Sequence, residues 1–273
     1  MNYKMTAYVL GKMLGVEALV LCIPAAVSLI YGETSDMAAF GITSAVLCVF
    51  FLLFGRKKPE NGRIYGKDGL VIVAAAWILW SVFGALPFYL SRDALFETVS
   101  GFTTTGSTIL TDIEALSYGM NFWRCLTHWI GGMGVLVFVM VVTSLDDKSS
   151  MHLMRAEVPG PEADKLVPKA RETAKLLYAM YLALTVAEII FLLAGGMNLY
   201  DSIIHSFSTA GTGGFANHNS SVAYYDSAYI DGVITVFMIL FGINFNMYFL
   251  LLIKDVKSVW KNEEVRAYLG IIV

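Results

Sequence analysis

Phe102-Thr103-Thr104-Thr105-Gly106-Ser107 places a run of hydroxyls and one glycine between two apolar segments, and Phe207-Ser208-Thr209-Ala210-Gly211-Thr212 repeats it in character. Both read aromatic, hydroxyl, threonine, small residue or hydroxyl, glycine, hydroxyl. Each follows a short apolar helix candidate, Ala94–Gly101 and Tyr200–Ser206, too short for hydrocarbon that takes about 20 helical residues to cross. Such helices suit a dip partway into the bilayer. Non-helical backbone at that depth survives only where protein buries it or water lines it, because unsatisfied peptide groups are costly in hydrocarbon. A pore meets that condition: carbonyls of an extended Thr/Gly run can replace the hydration shell of a cation, with glycine supplying backbone angles closed to other residues. One copy alone would read equally well as a surface loop. Two copies at matched positions between spans favour the pore-loop reading, since internal repeats mark transport folds.

Composition agrees with a membrane setting. Hydrophobic residues make up 57% and charged residues 15% of the 273 positions, against about 25% charged in soluble domains, and mean hydropathy is +0.65. A net charge of -3 gives no footprint for nucleic acid. Cys22, Cys48 and Cys125 sit in or beside apolar spans at no metal-like spacing, so they read as buried thiols acting as small hydrophobes. The first apolar run lacks a small-residue cleavage site and reads as a retained span. With neither a Ser-His-Asp arrangement nor a paired-carboxylate site, enzyme is a poor fit.

The fold class expected is an all-α polytopic membrane protein. Residues 1–60 hold an N-terminal pair of spans (10–31 and 37–54); 61–150 hold a helix–re-entrant loop–helix unit whose outer spans are about 69–90 and 119–144. A Pro-Gly-Pro connector at 151–171 follows, then a second unit at 172–260 with spans near 173–195 and 229–253. Residues 261–273 are expected to be the start of a third unit cut short, hydrophilic to Arg266 and apolar again over Ala267–Val273. All of the 19 lysines and arginines except Arg92 and Arg124 fall on one side of these spans. That side is the cytoplasm by the positive-inside rule, which puts the N-terminus inside. Both loops then open outward among acidic residues that would raise local cation concentration.

The sequence resembles the membrane subunit of bacterial Trk/Ktr-type potassium-uptake systems. The resemblance rests on Leu95-Phe96-Glu97 through Gly101 to Thr108, on Trp123-Arg124-Cys125-Leu126-Thr127-His128-Trp129-Ile130-Gly131-Gly132-Met133-Gly134, on Arg155-Ala156-Glu157-Val158-Pro159-Gly160-Pro161, and on His205 to Phe215. It implies four covalently linked helix–loop–helix units around one pore, of which this chain holds two preceded by the extra N-terminal pair of the Trk branch. It further implies potassium as substrate without a bound cofactor, and a bacterial cytoplasmic-membrane location. A cytoplasmic nucleotide-binding regulatory subunit and a second membrane subunit, making a homodimer in the lipid bilayer, are the implied partners. Gly106 and Gly211 match the first two filter glycines, which gives Thr103, Thr104, Thr105, Gly106, Ser208, Thr209, Ala210 and Gly211 as the expected potassium-binding positions. A sodium-coupled carrier and a non-conducting assembly or regulatory module are the alternatives.

Other residues carry two readings each. Glu97 and Arg124 either anchor the first loop, in part through each other, or reach water independently at the interface. Asn244 and Asn246 either line the pore or pack between helices. Gly131-Gly132-Met133-Gly134 lacks the strand and lysine of a phosphate loop and reads as close helix packing. For His128 and His205 a hydrogen bond holding a helix in place is expected rather than a metal.

Overall fold

The computed structural model describes residues 2–60, 66–88, 94–134, 170–252 and 254–272. Among the described residues twelve α-helices follow in order. They are α1 (Tyr3–Val20), α2 (Cys22–Ile30), α3 (Thr34–Phe50), α4 (Gly66–Gly84), α5 (Ala94–Phe102) and α6 (Tyr118–Met133), then α7 (Ala170–Ala194), α8 (Leu199–Ala210), α9 (Ala228–Gly242), α10 (Phe245–Leu252), α11 (Val256–Lys261) and α12 (Glu263–Ile272). Among the described residues four helical stretches are long and apolar enough to cross a membrane: Tyr3–Ile30, Thr34–Gly55, Lys67–Phe88 and Ala174–Ala194. Large side chains such as Leu19, Ile42, Ile78 and Ile190 stand exposed on them, as apolar faces turned to lipid would. The second half of the expected fourth span and the connector with its Arg155–Pro161 motif lie outside the described residues.

Local chemistry explains where the helices break. The first span begins at Tyr3, earlier than hydropathy alone suggests, with Lys12 lying over the Tyr8 ring at 5.6 Å. It is interrupted at Leu21 because Pro24 has no N–H for the Val20 carbonyl. The expected span at 229–253 is two helices, α9 and α10, parted where Ile243 turns extended (ψ 137°). Cys125 is buried, but Cys22 and Cys48 are exposed on their helices, which corrects the expectation of three buried thiols.

The N-terminal pair is tied to the rest at its connecting turn and along its length. Both oxygens of Glu33 accept from the first turn of α6, Oε1 from the Tyr118 amide (2.7 Å) and Oε2 from the Gly119 amide (2.9 Å). A carboxylate there meets both the unpaired N–H groups and the positive end of the helix dipole. Tyr31 stacks on Tyr118 with centroids 3.9 Å apart. Behind these, Trp80, Phe102 and Trp123 pack edge to face and are fully buried. The Trp123 indole donates to the Gly84 carbonyl at 2.8 Å, which joins α6 to the end of α4.

Helix α1 approaches the π-turn Phe51–Gly55 so closely that a Cβ at Gly11 would lie 2.6 Å from the Gly55 nitrogen. Gly11→Val should therefore lower stability by about 1–3 kcal/mol through overpacking. Gly41, with nothing within 4 Å, is the control: Gly41→Ala should hold or raise the midpoint of thermal unfolding in detergent.

Candidate functional site

Both short helices end in the same turn. After α5 the amides of Thr103, Thr104 and Thr105 bond to the carbonyls of Val99, Gly101 and Ser100. After α8 those of Gly211, Thr212 and Gly213 bond to Phe207, Thr209 and Ser208 in the same pattern. The chain then goes left-handed twice in each loop, at Thr104 (φ 54°) and Gly106 (φ 74°), and at Thr212 (φ 54°) and Gly214 (φ 86°). For a β-branched threonine this is rare backbone. It occurs at the same step of both loops.

These matches change the register of the repeat. The motif pairs Gly106 with Gly211, whereas the structure pairs it with Gly214, and Thr104 with Thr212. Ser208, Thr209 and Ala210 lie within α8 and are buried. The carbonyls of Ser208 and Thr209 are occupied by the amides of Gly213 and Thr212. Gly211 is a helix cap at φ -80°. Helix α8 continues past Ser206 because Ser208 to Ala210 keep helical bonds in a buried setting, so the non-helical segment starts three residues later than the motif suggests. By contrast Thr103, Thr105, Thr212 and Gly214 are exposed. The carbonyls of Thr103 to Gly106 and of Thr212 to Gly214 accept no hydrogen bond from any described residue.

The two loops touch. A Cβ on Gly106 would run into the Gly213 carbonyl. Helix α6 lies beside both: Gly131 approaches the Phe102 carbonyl, and Gly132 approaches the Ala210 carbonyl and the Gly211 Cα, so a side chain on either would displace a loop. Close backbone approach is what the small residues of Gly131-Gly132-Met133-Gly134 provide.

Arg124 joins the loops from within. Its Nε meets Glu97 Oε2 at 2.7 Å with both side chains 1% exposed, so the two are an ion pair and not separate interfacial charges. The other oxygen, Glu97 Oε1, accepts from the Thr108 hydroxyl (2.8 Å) and the Ile109 amide (2.9 Å) beyond the first loop. The guanidinium also donates to the Ala216 carbonyl at 3.0 Å and lies 3.6 Å over the Phe215 ring beyond the second. One turn along α6, His128 stacks on Phe215 at 3.9 Å, with Nδ1 3.4 Å from the Ser208 hydroxyl. His205 stands edge-on to Tyr225 at 5.6 Å. Among the described residues no group of three His, Cys, Asp or Glu side chains is placed to hold a metal.

Further out, Asn219 latches the two loop exits together. It accepts from the Ile113 amide (2.8 Å), donates through its side chain to Asp112 (2.9 Å) and through its amide to Glu114 (3.1 Å). The Asn219 hydrogen bond, with help from the Glu114 and Ala115 amides, holds the Asp112 carboxyl below the usual carboxylate range. Composition and spacing gave no signal for this latch. Asn244 sits elsewhere, in the break between α9 and α10, where Nδ2 lies 3.2 and 3.4 Å from the Glu264 oxygens. This hydrogen bond to α12 fits the second of its two expected readings, packing between helices.

Arg124→Met leaves Glu97 charged and buried and should cost about 3–5 kcal/mol. The double variant Glu97→Leu/Arg124→Met should cost less than the sum of the single variants, as read by thermal unfolding in detergent. A lowered folded pKa means Asp112 stabilises fully above the ordinary value of about 3.9 and loses this as pH falls through the folded value. The stability difference between wild type and Asp112→Asn should accordingly be present at neutral pH and vanish in acid.

The TrkH family, described as a cation transport protein, matches residues 37–272. The Trk system potassium uptake protein TrkH of Escherichia coli K12 is 34% identical over 99% of this chain and 58% of its own length. TrkH of Vibrio parahaemolyticus is 33% identical over 100% of this chain and 59% of its own. The crystal structure of the potassium transporter TrkH from Vibrio parahaemolyticus superposes with a TM-score of 0.83 at 29% identity, covering 99% of this chain and 57% of that one. The chain therefore spans 58% of the length of the first relative. On the extent of the family match and the shared helical framework, this chain belongs to the TrkH cation transport family.

Proposed function

We propose that this chain forms two of the units lining a potassium-uptake pathway, with the two loops contributing backbone carbonyls to a selectivity filter. The observation that carries the reading is the pair of touching loops whose carbonyls, Thr103 to Gly106 and Thr212 to Gly214, take no hydrogen bond from a described residue. Carbonyl oxygens that no hydrogen bond occupies are the kind of ligand that replaces a cation's hydration shell. The left-handed backbone at Thr104, Gly106, Thr212 and Gly214 turns successive peptide groups from the helical direction. Gly211 to Gly214, not Ser208 to Gly211, is the segment of the second unit assigned to the ion.

On this reading α5 and α8 are re-entrant helices and the acidic loop exits face outward, with the N-terminus in the cytoplasm. Potassium is cargo, moved by its electrochemical gradient. Glu97 and Arg124 hold the loops in place and need not touch the ion. A complete ring calls for further units of the same kind. The regulatory subunit with a nucleotide site and the pairing of two membrane subunits are carried over from the family resemblance.

The test is cation flux in liposomes containing a four-unit protein that carries these loops. Gly106→Ala and Gly214→Ala should each reduce the preference for potassium over sodium by about tenfold or more, since a Cβ at φ above +70° forces the loop to rearrange, at a cost of about 1–2 kcal/mol or more. Selectivity unchanged in both variants would remove the filter assignment, and a change confined to Gly211→Ala would restore the motif's own register.

A further inference from the structure

Asp201, in the first turn of α8, is surrounded by neutral donors. Its Oδ1 accepts from Asn217 Nδ2 at 2.6 Å, and Oδ2 accepts from Asn198 Nδ2 and the Tyr225 hydroxyl, both at 2.7 Å. His218 lies between this carboxylate and that of Glu114, with Nε2 3.7 Å from Asp201 Oδ2 and Nδ1 3.5 Å from Glu114 Oε1. Among the described residues no lysine or arginine pairs with either acid. The negative charge here is held by hydrogen bonds and has no fixed cation beside it.

Two adjoining cavities open beside this group. One, of about 180 Å³, is lined by Glu114, Asn121, Asn217 and His218 together with Tyr118 and Tyr200. The other, of about 610 Å³, shares four of these residues and extends past Asp201 to Tyr31 and Tyr224. Two oxygens of the smaller cavity's lining residues, Oδ1 of Asn121 and Oδ1 of Asn217, are buried and take no hydrogen bond from a described residue. Asn121 as a whole is 4% exposed. The bond from Asn217 Nδ2 to Asp201 fixes which end of that amide carries the oxygen. Buried acceptors without a donor are costly, and each calls for a partner.

The walls say what that partner must be. It needs hydrogens for two amide oxygens, a positive charge for two carboxylates and a carbon body for aromatic faces. Tyr31 stacks on Tyr118 at 3.9 Å, Tyr200 stands edge-on to Tyr118 at 4.9 Å, and Tyr224 stacks on His218 at 3.6 Å. Water supplies hydrogens alone, and even the smaller cavity exceeds the roughly 30 Å³ that one water fills. Potassium suits the oxygens but fills little of the larger cavity and has no carbon body for the rings. We propose that this double cavity binds an alkylammonium ion, its N–H groups donating to Asn121 and Asn217 and its carbon chain lying along the tyrosine rings, whose faces attract the charge. None of Thr103 to Gly106 or Thr212 to Gly214 lines it, so the site is separate from the loops assigned to potassium.

The full chain in lipid nanodiscs, with empty nanodiscs as the blank, is titrated with n-butylammonium in a sodium buffer and followed by calorimetry and by the shift in thermal unfolding. A Kd of about 1 mM or tighter is expected, within what a ligand of this size can reach. Asn121→Leu, which removes one acceptor at similar size, should weaken binding about tenfold, the effect of losing a hydrogen bond to a charged group. Tyr224→Leu, on an exposed wall, should weaken it about threefold through loss of the ring face. Neutral n-butanol should bind far more weakly, and an equal concentration of potassium should leave the ammonium bound. Binding in neither readout would leave the cavity to water and overturn the inference. Displacement by equal potassium would overturn it too, by marking an inorganic-cation site, as would unchanged affinity in Asn121→Leu or equal affinity for butanol. Should Asn121→Leu fail to fold, Tyr224→Leu and the butanol comparison decide the same point.

Discussion

A guanidinium sealed from solvent between two peptide loops is the constraint on which this molecule turns. Arg124 and Glu97 are both 1% exposed, and a lone charge in that position would be prohibitive in a chain built for hydrocarbon. Each supplies what the other lacks, and each also bonds to backbone beyond a loop: Glu97 to Ile109, Arg124 to Ala216. The pair therefore converts its own electrostatic need into a fixed spacing between two segments with no sheet or helix to hold them. Phe215, beneath both Arg124 and His128, adds an apolar floor to the same anchor.

Around this anchor the helices divide the work by residue size. Gly131 and Gly132 on α6 let the ends of α5 and α8 come to backbone contact, while Trp123 and Trp80 close the space behind them. The connecting turn of the N-terminal pair braces α6 through Glu33, and Asn219 joins the two loop exits. Buried polar chemistry is concentrated on the elements next to the loops, and the exposed faces of α1, α3, α4 and α7 are apolar. That is the inverse of a soluble protein. It follows from a solvent that cannot hydrogen-bond.

The register of the second loop shows how a motif can be recognised and still be misplaced. Aromatic-hydroxyl-threonine-small-glycine occurs in both stretches, but the string does not say where the preceding helix stops. In the first copy α5 ends at Phe102, ahead of the threonines; in the second α8 runs through Ser208, Thr209 and Ala210. A better signal was present in the spacing of threonine and glycine. Thr104-Thr105-Gly106 and Thr212-Gly213-Gly214 share the two left-handed steps, and only the first of these needs a side chain to tolerate them.

Sequence by itself determined the membrane setting, the helical class, the paired loops and the closeness asked of Gly131 and Gly132, because hydropathy, length and residue size act locally and leave a periodic trace. It named Glu97 and Arg124 as charges in need of an explanation. Tertiary structure decided that they answer each other, that Asn244 goes to Glu264, and that Asn219 latches the loops. Those outcomes depend on which hydrogen-bond partners meet across helices far apart in the chain, and a linear pattern carries no record of the angles and distances that bring them together.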